Sequence, residues 1–326
     1  MILTEANIKL WSRIGSRPTF GLGVIELAKV YDDLLVISSD VVTSAGLEPF
    51  CRNYPGQHID VGIAEQNMIG IAAGLASEGF RVITTTFAPF QTMRCCEQIR
   101  VNLGYMQQKV CMVGLGSGLV LGTQGFTHCC FEDVAVLSGI PNLTIISPAD
   151  CGEIVKALFA AIEHNQSVYI RLTGGQRNPI VYHDDYNFKI GKAITLTKTD
   201  RNNVDVTIIA AGSMVFESLE SAKLLEADGI SASVVNMHTI KPLDTAVIDD
   251  ACLRSKLIVT VEEHNVIGGL GSAVACYKTS LQKSPPQIMI GIPDSYCKPG
   301  DYQYLLNHYG LKSNQIAEKI KQKITQ

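Results

Sequence analysis

The sequence predicts an α/β protein built as two three-layer α/β/α domains. Strand-like apolar runs alternate with helix-like segments along the whole chain, which is typical of largely parallel sheets covered by helices. The length of 326 residues exceeds the usual size of one domain. A polar stretch over residues 173–187 contains two consecutive glycines and Pro179, and it is predicted to be the linker. We therefore expect a first domain over residues 1–178 and a second domain over residues 188–326.

The composition predicts a globular protein with a large apolar core. Hydrophobic residues make up 46% of the chain and charged residues 18%. The net charge of -4 favours neither nucleic acid nor an anionic membrane as a partner. The first residues lack a signal-peptide core, and no apolar run is long enough to cross a bilayer. Ten cysteines without a Cys-x-x-Cys pair indicate reduced thiols in the cytosol, not a disulfide or zinc scaffold.

The first domain is predicted to contain a mainly parallel sheet. Apolar runs predict its strands at Leu34 to Ser38, Arg81 to Thr85, Lys109 to Leu115, Leu143 to Ile146 and Val168 to Leu172. Helices are predicted from Asp60 to Gly79, Gln91 to Leu103, Cys130 to Ser138 and Pro148 to Ile162. Ligands of such sheets bind at the carboxyl ends of the strands, where Asp40, Phe87, Leu115 and Arg171 are located.

The second domain repeats the alternation of strands and helices. Its strands are predicted at Val206 to Ala210, Ser233 to Asn236, Leu257 to Val261 and Ile288 to Ile290. Its helices are predicted at Val215 to Ala227, Thr245 to Arg254, Gly271 to Ser280 and Asn314 to Lys323. The order of elements again indicates a largely parallel sheet with helices on its faces.

The most informative stretch reads Asp-Val-Gly-Ile-Ala-Glu-Gln-Asn over residues 60–67. It places Glu65 in the first turns of a helix that is otherwise apolar or small, so both sides of that helix are predicted to be buried. Gly70 and Gly74 lie one turn apart and each costs roughly 1 kcal/mol of helix propensity, which favours the close approach of another backbone. A buried glutamate needs a partner. The residues alone favour a structural glutamate paired with an arginine or a backbone amide.

The whole string resembles the pyrimidine-binding domain of the transketolase family of thiamine-diphosphate enzymes. In that family the glutamate of this motif hydrogen-bonds a ring nitrogen of the cofactor's aminopyrimidine and promotes formation of the reactive ylid. The resemblance implies thiamine diphosphate as cofactor and Glu65 as a catalytic and cofactor-binding residue. It also makes Phe87 the ring that stacks on the aminopyrimidine, with Phe90 lining the same pocket. Without the resemblance, two aromatic rings after a strand are ordinary core residues.

Four further residues match family positions that bind cofactor or substrate. Asp40 lies in a segment that resembles the one whose aspartate approaches the thiazolium ring across the subunit interface, so it is predicted to bind cofactor. Ser44, in the same segment, is predicted to hold an acceptor phosphate. Arg17 and Arg171 match two family arginines that grip this phosphate. Taken alone, the aspartate would be a helix or turn cap, and each arginine a surface or salt-bridged residue.

The loop Gly-Thr-Gln-Gly-Phe-Thr-His over residues 122–128 both matches the family and departs from it. His128 falls where the family has a histidine that contacts a substrate oxygen, which implies a catalytic and substrate-binding role. Gln124 replaces an aspartate that accepts a hydrogen bond from the donor sugar, and as an uncharged amide it is still predicted to bind substrate. Gly116 stands where some transketolases have another substrate-binding histidine. These departures put the usual sugar-phosphate donor in question.

The diphosphate-binding half of the family has no counterpart in this sequence. Family members hold Mg2+ against the cofactor's phosphates with a Gly-Asp-Gly segment, and no Gly-Asp-Gly occurs here. The resemblance implies a partner subunit that carries this domain and the metal, two copies of each chain, and no metal ligand on this one. The segment from Val261 to Ser272 resembles the family's C-terminal domain, and no role is assigned to His264. Arg94, Gln98 and Arg100 are predicted to be structural or interfacial.

The leading hypothesis is the C-terminal subunit of a two-component transketolase that moves a two-carbon ketol unit from a ketose or its phosphate to an aldose. The enzymatic alternative is the beta subunit of a 2-oxo acid dehydrogenase, which has the same two-domain build. The Gly-Ile-Ala-Glu-Gln and Thr-Phe-Ala-Pro-Phe strings favour transketolase. Deoxyxylulose-phosphate synthase is similar but is normally one longer chain, and a 2-oxo acid donor is compatible with Gln124. A scaffolding homologue is the non-enzymatic alternative, against which the joint presence of Glu65, Phe87 and His128 argues.

Overall fold

The computed structural model describes residues 3–197 and 203–325, which form two sheets with helices packed on their faces. The strands are β1 (Leu34–Ser38), β2 (His58–Asp60), β3 (Arg81–Phe87), β4 (Val110–Leu115), β5 (Leu143–Ile146), β6 (Ser167–Arg171), β7 (Ile194–Thr195), β8 (Val204–Ala210), β9 (Ala232–Asn236), β10 (Thr239–Lys241), β11 (Ser255–Asn265) and β12 (Gln287–Ile292). The α/β class predicted from the sequence is confirmed. The predicted outer domain limits, Met1 and Gln326, lie outside the described residues.

Helices connect most of these strands. They are α1 (Glu5–Ile14), α2 (Ser16–Ala28), α3 (Glu48–Asn53), α4 (Glu65–Ser77), α5 (Ala88–Gln91), α6 (Cys96–Gln98), α7 (Asp133–Ser138), α8 (Cys151–Glu163), α9 (Met214–Ala227), α10 (Thr245–Arg254), α11 (Leu270–Lys278), α12 (Tyr302–His308) and α13 (Ser313–Ile324). Short 3-10 turns occur at Pro55–Gln57 and Gly122–Gln124, and a π-helical segment at Ile99–Tyr105.

The first sheet has the strand order β10-β5-β6-β4-β3-β1-β2. Strands β1 to β6 run parallel, with Ser38 of β1 opposite Thr85 of β3, so their carboxyl ends lie along one edge. Strand β10 runs antiparallel to β5, with Thr239 opposite Ile146. Because β10 follows β9 of the second sheet in the chain, the second half of the protein completes the first sheet.

The second sheet has the order β12-β11-β8-β9-β7. Its strands are parallel except for the two-residue β7, which pairs antiparallel with β9. Helices α9 and α13 pack against each other, and their apolar residues join the strand residues Val206, Ile208 and Val259 in one buried cluster. The sequence predicted the four long strands of this sheet and left out the short β7, which has too few residues for a periodic pattern.

The strands of the first sheet read as continuous apolar runs because both faces of the sheet are covered. All residues of β4 and β6 are buried. Helices α1, α2 and α8 cover one face. The other face packs against α4 and α7 and also against residues of the second half, including Val235, Met237, Ile258 and Leu270. The two halves therefore share a core as well as a sheet.

The stretch predicted as a linker is packed against both halves. Tyr182 and Tyr186 stack with their ring centroids 3.9 Å apart. The Asp150 carboxylate, which caps α8 by accepting from Glu153 N, also accepts hydrogen bonds from Val181 N and Tyr182 N at 2.9 and 3.0 Å. Burial raises the pKa of Asp150 to about 6 despite these bonds. These contacts fix the path of the chain between the halves, and the predicted boundaries at residues 178 and 188 stay a prediction.

Two helix predictions need correction. Helix α4 begins at Glu65 and not at Asp60, because residues 60–64 end β2 and turn at Gly62, whose φ is 68°. One side of α4 is exposed in the chain by itself: Gly70 and Gly74 face open space, contrary to the expectation that both sides are buried. The segment predicted as one helix from Gln91 to Leu103 is divided among α5, α6 and the π-helical turn.

Within residues 3–197 and 203–325, no helix combines the length and apolar character needed to cross a membrane. The ten cysteines are all free thiols. Burial raises the pKa of several of them, including Cys95 and Cys111, to about 12, so these thiols stay protonated and unreactive near neutral pH. The cytosolic location inferred from the cysteine pattern stays a prediction.

Candidate active site

Glu65 is placed at the carboxyl edge of the first sheet by a network at the end of β1 and β2. The Asp60 carboxylate accepts hydrogen bonds from Ser38 Oγ at 2.6 Å, Gly62 N at 2.8 Å and Asp40 N at 3.3 Å. Burial acts to raise the pKa of Asp60, but these hydrogen bonds outweigh it and lower the pKa. The charged carboxylate therefore holds the turn that leads directly into α4 and its first residue, Glu65.

The Glu65 side chain is buried, with 4% of the residue exposed, yet only one of its oxygens has a partner among the described residues. Oε1 accepts a hydrogen bond from Arg94 Nη1 at 2.6 Å. Oε2 accepts none from any residue in the described part of the chain. The Arg94 guanidinium also lies over the Phe90 ring, 3.9 Å from its centroid. Arg94, predicted to be structural or interfacial, thus contacts two predicted site residues; its position four residues after Phe90 was the signal in the sequence.

Three rings form an edge-to-face cluster beside this ion pair. The ring centroids of Phe87 and Phe90 are 6.2 Å apart, and His128 lies 6.1 Å from Phe87 and 5.6 Å from Phe90. All three side chains are partly exposed. His128 Nδ1 is 3.0 Å from Thr127 Oγ1, which leaves the other ring nitrogen, Nε2, to meet a ligand. The fold brings together Glu65, Phe87, Phe90 and His128, which are far apart in the sequence.

This arrangement suits a flat heterocycle with a hydrogen-bonding ring nitrogen. The partly exposed Phe87 and Phe90 offer apolar ring surface for stacking. Oε2 of the buried Glu65 offers one strong hydrogen-bonding position at the edge of that surface. An aminopyrimidine has both features, so the residues present fit the pyrimidine ring of thiamine diphosphate.

Arg17 and Ser44 line a second cavity, of ≈ 350 Å³, at the same edge of the sheet. The cavity is completed by Leu121, Gly175 and other residues of the adjoining loops. Burial lowers the pKa of Arg17, and this guanidinium forms no ion pair with any residue in ranges 3–197 and 203–325. A half-buried guanidinium of this kind beside a hydroxyl is a suitable site for an anionic group.

Asp40 and Gln124 are exposed, and neither lines the cavity of Arg17 and Ser44. Asp40 has a left-handed backbone, with φ of 53°, and its N–H donates to Asp60 as described above. Gln124 ends the 3-10 turn Gly122–Gln124. Neither side chain forms a hydrogen bond with the described residues, so both are available to contact a ligand or a partner subunit. Their predicted roles in binding cofactor and substrate stay predictions.

Arg171, the second arginine predicted to grip a phosphate, is held in a buried ion pair. Its guanidinium forms a bidentate ion pair with Asp133, with Nε–Oδ2 and Nη2–Oδ1 distances of 2.9 and 3.0 Å. Arg171 is 2% exposed and Asp133 is 0% exposed. The guanidinium points into the boundary between the two halves, and Arg171 does not line the cavity of Arg17 and Ser44. The predicted role of Arg171 in binding an acceptor phosphate stays a prediction.

Comparison with known proteins agrees with this geometry. The profile of the transketolase pyrimidine-binding domain matches residues 13–177, and that of the transketolase C-terminal domain matches residues 196–316. The chain is 36% identical to one of the subunits of apulose-4-phosphate transketolase from Phocaeicola vulgatus, covering 94% of this chain and 96% of that one. It is also 36% identical to the 6-deoxy-6-sulfo-D-fructose transketolase subunit SqwH of a Clostridium species, covering 92% of each chain.

Solved structures give the same result. A split-gene transketolase described as an inactive beta4 tetramer superposes with a TM-score of 0.84 at 33% identity, covering 96% of this chain and 98% of that chain. Transketolase from Campylobacter jejuni shares the fold, with a TM-score of 0.77 at 24% identity, and this chain spans 46% of its length. The family is thiamine-diphosphate dependent. The chain therefore belongs to the transketolase family, in which it corresponds to the half that carries the pyrimidine-binding and C-terminal domains.

Proposed function

We propose that this chain is the C-terminal subunit of a two-component transketolase that transfers a two-carbon ketol unit from a ketose or ketose phosphate to an aldose. The observation that carries the proposal is the buried Glu65, whose Oε2 has no partner among the described residues, beside the rings of Phe87, Phe90 and His128. Because Oε2 retains access to solvent, it is open to a hydrogen bond with a ligand, a role that a scaffold protein would not require.

Some residues of the site would bind the cofactor, and one would contact the substrate. Thiamine diphosphate, when bound, supplies the electron sink for cleavage of the carbon–carbon bond. Glu65 Oε2 would hold a proton between itself and the ring nitrogen, while Phe87 and Phe90 bury the ring faces and exclude water. His128 Nε2 is placed to stabilise a developing alkoxide or to move a proton to and from a substrate oxygen.

The second cavity would hold the far end of the acceptor. Arg17 and Ser44 offer one guanidinium and one hydroxyl to an anionic group such as a phosphate. Gln124 would hydrogen-bond the donor's hydroxyl or carbonyl oxygen without adding a charge. Asp40 would approach the cofactor from the exposed side of the site, where a second subunit would face it.

A partner subunit would supply the remaining half of the cofactor site. The chain spans about half of a full-length transketolase and nearly all of the relatives named as separate subunits. The partner would carry the diphosphate-binding domain and Mg2+, with two copies of each chain in the assembly. The exposed side of α4, where Gly70 and Gly74 face open space, leaves room for the close approach of another subunit.

The test is turnover by this chain mixed with a candidate partner that carries a Gly-Asp-Gly segment, thiamine diphosphate and Mg2+, with xylulose 5-phosphate as donor and ribose 5-phosphate as acceptor. Turnover should need both chains. Glu65→Gln should lower kcat by about 100-fold or more, because the amide cannot share a proton with the ring nitrogen. Glu97→Gln is the matched control, since Glu97 is exposed and pairs with Arg100 of the same turn.

The other outcomes separate the alternatives. Assembly and cofactor binding without ketose turnover would direct the search to pyruvate and other 2-oxo acid donors. That alternative is supported by the uncharged Gln124 and by 33% identity to 1-deoxy-D-xylulose-5-phosphate synthase of Dictyoglomus turgidum, of which this chain covers 48%. A beta subunit of a 2-oxo acid dehydrogenase would give the same result with a different partner. A stable complex that binds no cofactor would favour the scaffold.

A further inference from the structure

The loop that carries Gln124 and His128 is held near its start and at its tip by the second half of the chain. We define the substrate loop as residues 116–128, between β4 and the residues that precede α7. Its main contact across the boundary is Glu263, a residue of β11 that is 1% exposed. Glu263 is not part of the site described above and forms no ion pair with any arginine or lysine side chain in the described ranges. The role of its carboxylate therefore follows from the hydrogen bonds that it accepts.

Both oxygens of Glu263 accept hydrogen bonds: Oε1 accepts from the substrate loop, and Oε2 accepts from two residues of the second half. Oε1 accepts from the backbone N–H of Leu119 at 2.6 Å. Oε2 accepts from the hydroxyl of Tyr302 at 2.7 Å and from the hydroxyl of Ser213. Gly118, with φ of 77°, lies so close to this carboxylate that a Cβ atom there would overlap Oε1. The start of the substrate loop, at Gly118 and Leu119, thus lies directly against the Glu263 side chain.

A short backbone pairing passes this restraint to His128. Gly118 N donates to Cys130 O at 2.6 Å, and Cys130 N donates to Gly118 O at 3.0 Å. Cys130 is two residues after His128, so Gly118, which precedes the residue bonded to Glu263, is paired with the segment that follows the histidine. At the tip of the loop, Gly300 N donates to Gly122 O at 3.2 Å, which ties the Gly122–Gln124 turn to the second half.

We propose that Glu263 is a positioning residue that holds the substrate loop so that His128 faces Phe87 and Phe90. The carboxylate does not touch the reacting atoms in this arrangement. It acts through Leu119, Gly118 and Cys130, and the second half of the chain thereby takes part in substrate recognition. The kinetic consequence rests on the proposed function, whereas the structural consequence for the loop does not.

The adjacent Glu262 provides a matched control. It is equally buried, with 2% exposed, but its oxygens accept from Leu270 N and Gly271 N at 2.7 and 2.8 Å and so hold the start of α11. If neither carboxylate positions the substrate loop, Glu262→Gln and Glu263→Gln should change the loop to the same small extent. A positioning role predicts that only Glu263→Gln loosens the substrate loop.

The experiment compares hydrogen–deuterium exchange, read by mass spectrometry on peptides, for the full chain and the two variants. Glu263→Gln should increase exchange of residues 116–128 by about tenfold or more, because Leu119 N loses a charged acceptor. Glu262→Gln should increase exchange of residues 266–278 and leave the substrate loop within about twofold of the wild type. Unchanged exchange of the loop in a folded Glu263→Gln variant, or equal changes in both variants, would overturn the proposal.

Kinetics with the partner subunit provide the second readout. Glu263→Gln should raise KM for the substrate by about tenfold and leave the Kd of thiamine diphosphate within about twofold, because Glu65 and Phe87 are not in the loop. If Glu263→Gln does not fold, Tyr302→Phe removes one donor to Oε2 and should show the same changes at smaller size. Absence of turnover in the wild type refutes the proposed function alone, and the exchange result then decides the role of Glu263. A loss of cofactor affinity that parallels the rise in KM would refute the positioning role of Glu263.

Discussion

Breaking the buried ion pair between Arg171 and Asp133 should destabilise the protein far more than replacing both partners. The two side chains are 2% and 0% exposed, and two hydrogen bonds of 2.9 and 3.0 Å join them. Asp133→Asn leaves the guanidinium charge buried without its paired carboxylate, while the backbone carbonyls of Cys130 and Glu263 still accept from it at 3.5 and 3.3 Å. The expected cost is about 3 to 5 kcal/mol in the free energy of unfolding.

Removing the other partner should have a similar cost. Arg171→Met leaves the Asp133 carboxylate with the Tyr169 hydroxyl, at 2.7 Å, as the one remaining hydrogen bond from a side chain in the described ranges. The double variant Asp133→Leu with Arg171→Met removes both charges and keeps the volume apolar, so we expect it to be about 2 kcal/mol or less from the wild type. A strongly favourable coupling between the two sites is thus expected from the double-mutant cycle.

The assay is urea unfolding at neutral pH followed by the fluorescence of Trp11, the single tryptophan, which is 3% exposed in the first half. Arg100→Gln, which breaks an exposed pair with Glu97, is the control and should change stability by about 1 kcal/mol or less. A cost of less than about 1 kcal/mol for Arg171→Met would refute this expectation, because the guanidinium would then be free to leave Asp133. That result would favour the predicted role of Arg171 in the acceptor site.

Three other perturbations test separate features. His264 is neutral because burial lowers its pKa from 6.5 to about 4. Its contribution to stability is therefore present above pH 6.5 and is lost as the pH falls toward 4. In urea unfolding over that pH range, the free energy of unfolding of His264→Gln should fall by up to about 3 kcal/mol less than that of the wild type. Gly70→Ala should stabilise the isolated chain by about 0.5 to 1 kcal/mol in thermal unfolding, since the added methyl meets nothing, yet weaken assembly in sedimentation if α4 is an interface. Arg94→Gln removes the one ion-pair partner that the Glu65 carboxylate, 5% exposed, has among the described residues, so it should cost about 1 to 3 kcal/mol in the free energy of unfolding. It should also weaken thiamine-diphosphate binding by about tenfold in calorimetric titration with the partner present; unchanged affinity would separate Arg94 from the site.

The long strands could be predicted because burial on both faces leaves a strong signal in the sequence. Strands β1 and β5 have the predicted bounds, β4 begins one residue later than predicted, and β6 is shifted by one residue at both ends. Strand β10 was missed because three residues carry no periodicity, and its partner Ile146 lies far earlier in the chain. Helix ends were less accurate where a turn such as the one at Gly62 uses residues that resemble a first helical turn.

The candidate site could be predicted in part, and the reason differs from residue to residue. Glu65, Phe87 and His128 were identified by strings that resemble a known family, and the fold brings these three side chains together. The ion pair of Arg171 with Asp133 was not predicted, because it joins residues that are 38 positions apart, which no local pattern records. Glu263 was not singled out for the same reason: its contact with Leu119 joins residues that lie far apart in the sequence.

The position of β10 has a consequence for the synthesis of the protein on the ribosome. Residues 34–171 supply six parallel strands, but the edge of β5 has no neighbour until Thr239–Lys241 has been synthesised and has left the exit tunnel. During that interval the nascent chain carries an open edge strand of apolar residues, the kind of surface that pairs with other chains and recruits chaperones. Chains released before that point should therefore aggregate, even though they contain the entire pyrimidine-binding domain.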